Sequence, residues 1–327
     1  MYDIPHSKLD VATIIATPAS RRRHETMNPA TADTDRLDRF LLPDAGVRGV
    51  RVHLHDTWSQ IANRVDEMPA DAITLLGEAA AASALFTAHV KVDGRLSVHL
   101  RGDGALRTLF AECTADGTLR GIVRLAEGAQ SIPRDLRQAG AGATLAITIE
   151  NPGHGRREPV SYQGLVELAS ETLSGAFEDY FLRSEQLPTR ILLAAGDGAA
   201  AGLMLQQLPG SDGDADGWNR ASILFDTLSP AELLDWDAGT LLQRLFHEES
   251  PQAMGGRELR FGCSCSRERV SDVLRTLGPE EATAAVIDGV ASVRCEFCGQ
   301  AYQFRQADID ALFTGEQAPL EAPPGLQ

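Results

Sequence analysis

Two stretches late in the chain decide how the sequence is read: residues 263–270, CSCSRERV, and residues 295–304, CEFCGQAYQF. They hold four of the five cysteines, as Cys263-x-Cys265 and Cys295-x-x-Cys298, with 29 residues between the pairs. A structural zinc site takes four sulfur or imidazole ligands in a tetrahedron. No histidine lies inside the cluster, so the pattern predicts one Zn2+ held by Cys263, Cys265, Cys295 and Cys298. The one-residue spacing of the first pair disfavours an iron–sulfur cluster. Gly299 lets the backbone turn around the second pair, and 290–293 and 301–304 read as two arms of a hairpin. Between the pairs, Ser266 is placed to cap a helix carrying Val270, Val273, Leu274 and Leu277 on one face, ended by Gly278-Pro279. A second helix is predicted over 279–288, ending at Gly289. A region this small buries little apolar surface, so metal would supply much of its folding free energy. The fifth cysteine, Cys113, alternates with Leu109 and Ala111 and reads as a buried thiol near a strand end.

The rest of the chain sets this region in context. Its 327 residues leave room for about two domains. With 43% hydrophobic and 23% charged residues and a mean hydropathy of −0.15, it is an ordinary globular chain, neither disordered nor collagen-like. Its 46 acidic against 30 basic residues give a net charge of −16. That weighs against a nucleic-acid partner, because phosphate contacts favour a basic protein. Thiols gathered in one late cluster, in a long and cysteine-poor chain, point to a metal or redox site in a reducing compartment, and so to the cytoplasm. No stretch reads as the roughly 20 apolar residues of a transmembrane helix, so no membrane is expected. No nucleophile–base pair or phosphate-binding loop appears, and no enzyme is expected.

The expected fold class is α+β. Residues 1–34 read as a disordered extension and 316–327 as a Pro/Gly-rich tail. Residues 35–221 mix strands (47–54, 96–100, 118–125, 143–149, 190–195, 202–208) with helices, without regular alternation. The helices are the alanine-rich stretch 69–89 and a helix whose one face carries Leu173, Ala176, Phe177, Tyr180 and Phe181. Its charged residues Glu178, Asp179, Arg183 and Glu185 read as a solvated face. Residues 222–256 read as a helical linker. It opens on a capping box, Ser229-Pro230-Ala231-Glu232, continues through Leu241, Leu242, Leu245 and Phe246, and is broken at Gly255-Gly256. Residues 257–315 form the small four-cysteine, zinc-binding domain. The acidic loop 209–217 copies half of a calcium loop, but Ile223 stands where the bidentate Glu is required.

Two functional classes fit the cysteines. A Cys-x-Cys pair can close a tight, reducible local disulfide. Arg267 and Arg269 beside it favour thiolate, the form that peroxide and hypochlorous acid attack. The cluster is then either a redox-responsive zinc site or a constitutive zinc ribbon binding protein or nucleic acid. Spacing alone leaves both open.

The residues also resemble a family. CSCSRERV and CEFCGQAYQF are similar to the redox-switch domain of the 33-kDa heat-shock chaperone family, peroxide- and bleach-activated holdases. DRLDRFLLPDAGVRGVRV at 35–52, YQGLVEL at 162–168, FEDYFLRSEQLPTR at 177–190 and RLFHEE at 244–249 resemble further parts of it. The likeness spans about 35–315 and leaves out 1–34. It implies an inactive, monomeric, zinc-bound reduced form. Oxidation would pair Cys263 with Cys265 and Cys295 with Cys298, release zinc, and unfold the small domain and the linker. The apolar surface so exposed would hold unfolding client proteins without ATP, and the oxidised protein would dimerise.

Overall fold

The computed structural model describes residues 35–314, apart from 66–67, 90–91, 154–157, 197, 211–213 and 215. The expected extension 1–34 and tail 316–327 lie outside the described residues. The chain divides into two compact units, Met1–Phe261 and Gly262–Gln327.

In the first unit, β1 (Arg36–Leu42) and β2 (Val47–Leu54) form a hairpin, followed by helices α1 (Asp56–Ala62) and α2 (Ala70–His89). Strands β3 (Arg95–Arg101), β4 (Leu106–Thr114), β5 (Thr118–Leu125), β6 (Thr144–Asn151) and β7 (Val160–Val166) come next. Helix α3 (Leu173–Ser184) leads into the hairpin of β8 (Thr189–Ala195) and β9 (Ala200–Gln207). Helices α4 (Gly217–Phe225), α5 (Pro230–Asp235) and α6 (Ala238–Phe246) precede β10 (Gln252–Glu258) and β11 (Arg260–Phe261). One sheet has the order β10-β1-β2-β9-β8; the other runs β11-β5-β4-β3-β6-β7, with only β11 on β5 parallel. The architecture is α+β, as the mix of elements led us to expect.

The inner strands β2 and β9 of the first sheet are apolar on both faces, and the alternation of their side chains explains why. Val50, Val52 and Leu54 of β2 and Met204 of β9 point into a core shared with α2, α3 and the second sheet. Val47, Leu203 and Leu205 point the other way, against Ala221, Phe225, Leu233, Leu241, Leu245 and Phe246 of α4–α6. Helix α2 lies between the two sheets. It is apolar over most of its surface, which suits a helix packed between two sheets, and Ala72, Ala79, Ala80, Ala81, Ala82 and Ala84 are fully buried. Small side chains let both sheets come close: a Cβ on Gly77 would sit 2.4 Å from the Cβ of Ala195. Residues Ala70–Ala88 are long and apolar enough to cross a bilayer, contrary to the expectation that no such stretch exists. That apolarity is spent on the protein core instead.

Four expectations are corrected. First, the helices of the segment read as a linker begin earlier than 222, because α4 starts at Gly217. Second, Gly255 and Gly256 do not end the segment. They lie inside β10, which pairs with β1 across an irregular register at Asp38/Phe40, and the first unit continues to Phe261. Backbone pairing, which leaves little trace in side-chain pattern, extends the first unit past the glycines. Third, the predicted solvated face of α3 is partly structural. Glu178 accepts the Ile191 N–H at 2.6 Å and the Arg190 guanidinium at 3.3 Å, and Asp179 accepts the Ser170 hydroxyl at 2.9 Å. Fourth, strands β7 and β10 were not expected, because their outward side chains carry no strand-like alternation.

The helices 217–246 are held by polar contacts as well as by packing. Arg51, buried on β2, donates to the Trp236 carbonyl at 2.5 Å, and the His53 Nε2 lies 3.0 Å from the Leu234 carbonyl. Both carbonyls belong to the C-terminal end of α5, where unsatisfied oxygens concentrate negative charge. Ser229 and Glu232 make the predicted capping box. Arg220 of α4 grips Glu249 through two bonds, at 2.8 and 3.0 Å.

One half-buried acid on α2 makes a measurable prediction. Burial pushes the Glu78 carboxyl on α2 up to about 7. Unfolding returns it to the ordinary carboxylate range, so its ionisation opposes folding. The destabilisation is absent below the unfolded value, grows as pH rises, and is complete above about 7. Glu78→Gln is therefore expected to stabilise the protein by about 3 kcal/mol at pH 8 and by almost nothing at pH 4. Thermal unfolding of both forms at the two pH values checks this; an equal difference at both would refute it.

Candidate metal centre

The second unit is small. Helix α7 (Arg267–Leu277) is followed by α8 (Pro279–Ala284), the hairpin of β12 (Val290–Arg294) and β13 (Ala301–Arg305), and α9 (Gln306–Thr314). Its buried apolar side chains, among the described residues, are Leu274, Ala282, Ala291, Phe304 and Ile309. Val273 and Leu277, expected on the buried face of α7, are 58% and 49% exposed. The unit is too thin to cover that whole face. Helix α8 also stops earlier than expected, because Ile287 and Val290 close a tight turn through Asp288 and Gly289, both with positive φ.

The four thiols meet at one end of this unit. Ser266 caps α7 by accepting the Arg269 N–H at 3.3 Å, which starts the helix immediately after Cys265. The second pair sits on a tight turn: the Gly299 N–H reaches the Cys295 carbonyl at 2.8 Å, and the Cys295 N–H reaches the Gln300 carbonyl at 2.9 Å. Gly299 has φ +74°, a conformation that suits glycine. All four Sγ atoms lie within 4.8 Å of one another. Cys263 and Cys295 are 3.7 Å apart at sulfur, and Cys265 and Cys298 3.3 Å. A tetrahedral zinc with Zn–S bonds of about 2.3 Å has sulfur–sulfur edges of about 3.8 Å, whereas a disulfide needs about 2.05 Å. The spacing fits four ligands around one ion, and none of the four cysteines is in a disulfide. An all-sulfur set of this size suits zinc. The structure thus brings together every one of the four predicted ligands. Cys113 is fully buried on β4, where burial pushes its thiol up to about 11.

The arginines do not do what the sequence suggested. Arg269 donates to the Ser264 carbonyl at 2.8 Å. Arg267 donates to the Gln303 carbonyl at 2.7 Å, pairs with Asp308 at 3.3 Å and stacks 4.2 Å from the centre of the Phe304 ring. A residue that the sequence reading passed over reaches a sulfur: the Tyr302 hydroxyl donates to Cys265 Sγ at 3.1 Å. Its signal was the tyrosine four residues after Cys298 in the hairpin arm. Burial alone would raise the Cys265 thiol, but the Tyr302 bond and those of the neighbouring thiols outweigh it and hold Cys265 down at about 7. Burial, reinforced by the adjacent thiols, pushes Cys298 up to about 12.

The family model for Hsp33 protein matches residues 35–305. A 33 kDa chaperonin of Chromobacterium violaceum is 39% identical over 280 residues, covering 85% of this chain and 94% of its own length. One of Hahella chejuensis is 41% identical over 283 residues, covering 85% of this chain and 97% of its own length. The crystal structure of the 33 kDa chaperonin of Thermotoga maritima superposes with a TM-score of 0.68 at 21% identity, over 85% of this chain and 97% of that one, a likeness of fold. By the family model and by these relatives, the chain belongs to the Hsp33 family.

Proposed function

We propose that this chain, a chaperone by its family, is a redox-regulated, ATP-independent holdase of the cytoplasm, with no enzymatic step of its own. The observation that carries the reading is the pairing of a four-thiol cluster with a unit that buries few apolar side chains. Bound zinc would cross-link Cys263, Cys265, Cys295 and Cys298 and supply the stability that this core lacks. In the reduced form the second unit stays folded, α4–α6 stay docked on the first sheet, and the protein is an inactive monomer. Peroxide or hypochlorous acid takes two electrons per disulfide, pairing Cys263 with Cys265 and Cys295 with Cys298. The ligand set is then gone and the second unit unfolds. The segment leading into it loosens, and the apolar faces of α4–α6 and of the sheet beneath them become available to unfolding clients. The active form is a homodimer. The net charge of −16 keeps such an exposed surface in solution.

The test is an aggregation assay with a heat-denatured client, run beside zinc release read by a chromogenic chelator. Oxidised protein is expected to suppress aggregation and to release about one zinc per chain, from the single four-thiol set; reduced protein is expected to do neither. Equal activity in both states would favour a constitutive zinc-ribbon module.

A further inference from the structure

We propose that a cavity in the first unit, between α2 and the chain that follows β5, is a binding site for an aliphatic ammonium group, with Glu78 as the carboxylate that takes its charge. The cavity measures about 360 Å³, within the size class of small-ligand sites. Its polar groups come from one face of α2, where Asp71, Thr74 and Glu78 recur at helical spacing. Asp71 is already engaged: it accepts the Ala72 N–H at 2.9 Å and the Ile132 N–H at 2.8 Å, which pins the opposite wall to the start of the helix. Arg134 is exposed at the rim. Glu78 is half-buried and has no hydrogen bond or ion pair among the described residues. Burial is the cause of its raised carboxyl, with no cation or donor beside it to offset that.

An acid in this position opposes folding whenever it is ionised, and a glutamine of the same shape would not. Acids held at such a cost in stability are characteristic of binding sites. The occupant that relieves the cost is a cation. The cavity is otherwise walled by Leu75, Ile132 and Leu136, so the cation needs an apolar stem to cover them. A metal ion fits poorly, because it takes about six oxygen ligands, and beside the engaged Asp71 the side chains offer the Glu78 carboxylate and the Thr74 hydroxyl. That pair of acceptors suits the N–H donors of a primary ammonium. Free alkylamines carry such a group, and so do lysine side chains, on a flexible carbon stem. Binding takes the ionised form of Glu78. Its carboxyl titrates at about 7, so affinity is full above that value and is lost as pH falls through it. Asp71 and Arg134 are the other charged groups that line the cavity.

The test is carbon NMR of the full chain labelled at its glutamate carboxyls, with Glu78→Gln identifying the signal. The probe is n-butylammonium and its uncharged match is n-butanol. At about ten times its Kd, n-butylammonium is expected to lower the pH at which Glu78 titrates by about one unit. It is expected to bind about tenfold more tightly at pH 8 than at pH 6, and at least about tenfold more tightly than n-butanol. A Glu78 titration that n-butylammonium does not move, or that n-butanol moves equally, overturns the proposal and leaves water as the partner of the carboxyl. A capped alanine peptide with one central lysine separates the two sources. The same displacement by the peptide assigns the site to lysines of an unfolded chain, and displacement by the free amine alone assigns it to small amines; both support the site. If Glu78→Gln does not fold, Arg134→Ala, at the exposed rim, serves instead. Loss of that like charge is expected to tighten n-butylammonium binding about twofold, and equal or weaker binding overturns the proposal.

Discussion

Replacing Cys298 with serine is expected to unfold residues 262–314 while leaving the two-sheet unit folded. A serine hydroxyl does not deprotonate to a metal ligand at neutral pH as a thiol does, so on the proposed reading the substitution would remove one of four bonds to the ion. Structural zinc sites carry on the order of 10–16 kcal/mol of binding free energy that is also folding free energy. Against that the second unit sets the buried side chains of Leu274, Ala282, Ala291, Phe304 and Ile309, too few to offset the conformational entropy of its ordering. The first unit has a core of its own, built from both sheets and α2. Limited proteolysis with mass mapping checks the prediction: cuts are expected to appear after Phe261, and the main thermal transition to stay in place. Cuts throughout 35–261 would show that the two units fold as one.

Phe246→Ala is the second large effect. Phe246 is fully buried at the end of α6, stacked 6.1 Å from Phe40 of β1. Truncating a buried phenylalanine to alanine costs about 3–5 kcal/mol. The loss falls on the docking of α4–α6, since the central core around α2 does not include this residue. The reduced, zinc-bound variant is expected to bind an apolar dye and to suppress client aggregation in part, without oxidant. A variant that binds no dye and stays inactive would remove the docked helices from the mechanism.

The sequence made the side-chain-driven parts of this molecule plain. Ser266 capped its helix, Ser229 and Glu232 made their box, and the four thiols met in one cluster. Apolar periodicity marked α3 and α6 correctly, since both bury one stripe. What side chains do not encode was lost. Strand β10 is held by main-chain bonds and its residues face solvent, so it read as a break. Val273 and Leu277 had the right period for burial, but the unit is too small to cover them. The partner of Cys265 was passed over because Tyr302 lies on β13, 37 positions away. Arg267 and Arg269, close in sequence to the thiols, turned to carbonyls instead.

Strand β10 has a further consequence, for the mutability of the segment. Apart from Arg257, which reaches the Ala115 carbonyl at 2.6 Å, its side chains are exposed and contribute little to the fold. Most of its positions should accept almost any residue except proline, which would remove a backbone donor. Its two glycines are different: Gly255 has φ +84°, and a Cβ on Gly256 would lie 2.4 Å from the Leu37 carbonyl oxygen. A saturation scan across 252–258 would therefore show a strip of near-neutral sites interrupted by two intolerant ones. Here the chain is free to drift in composition while its path remains fixed.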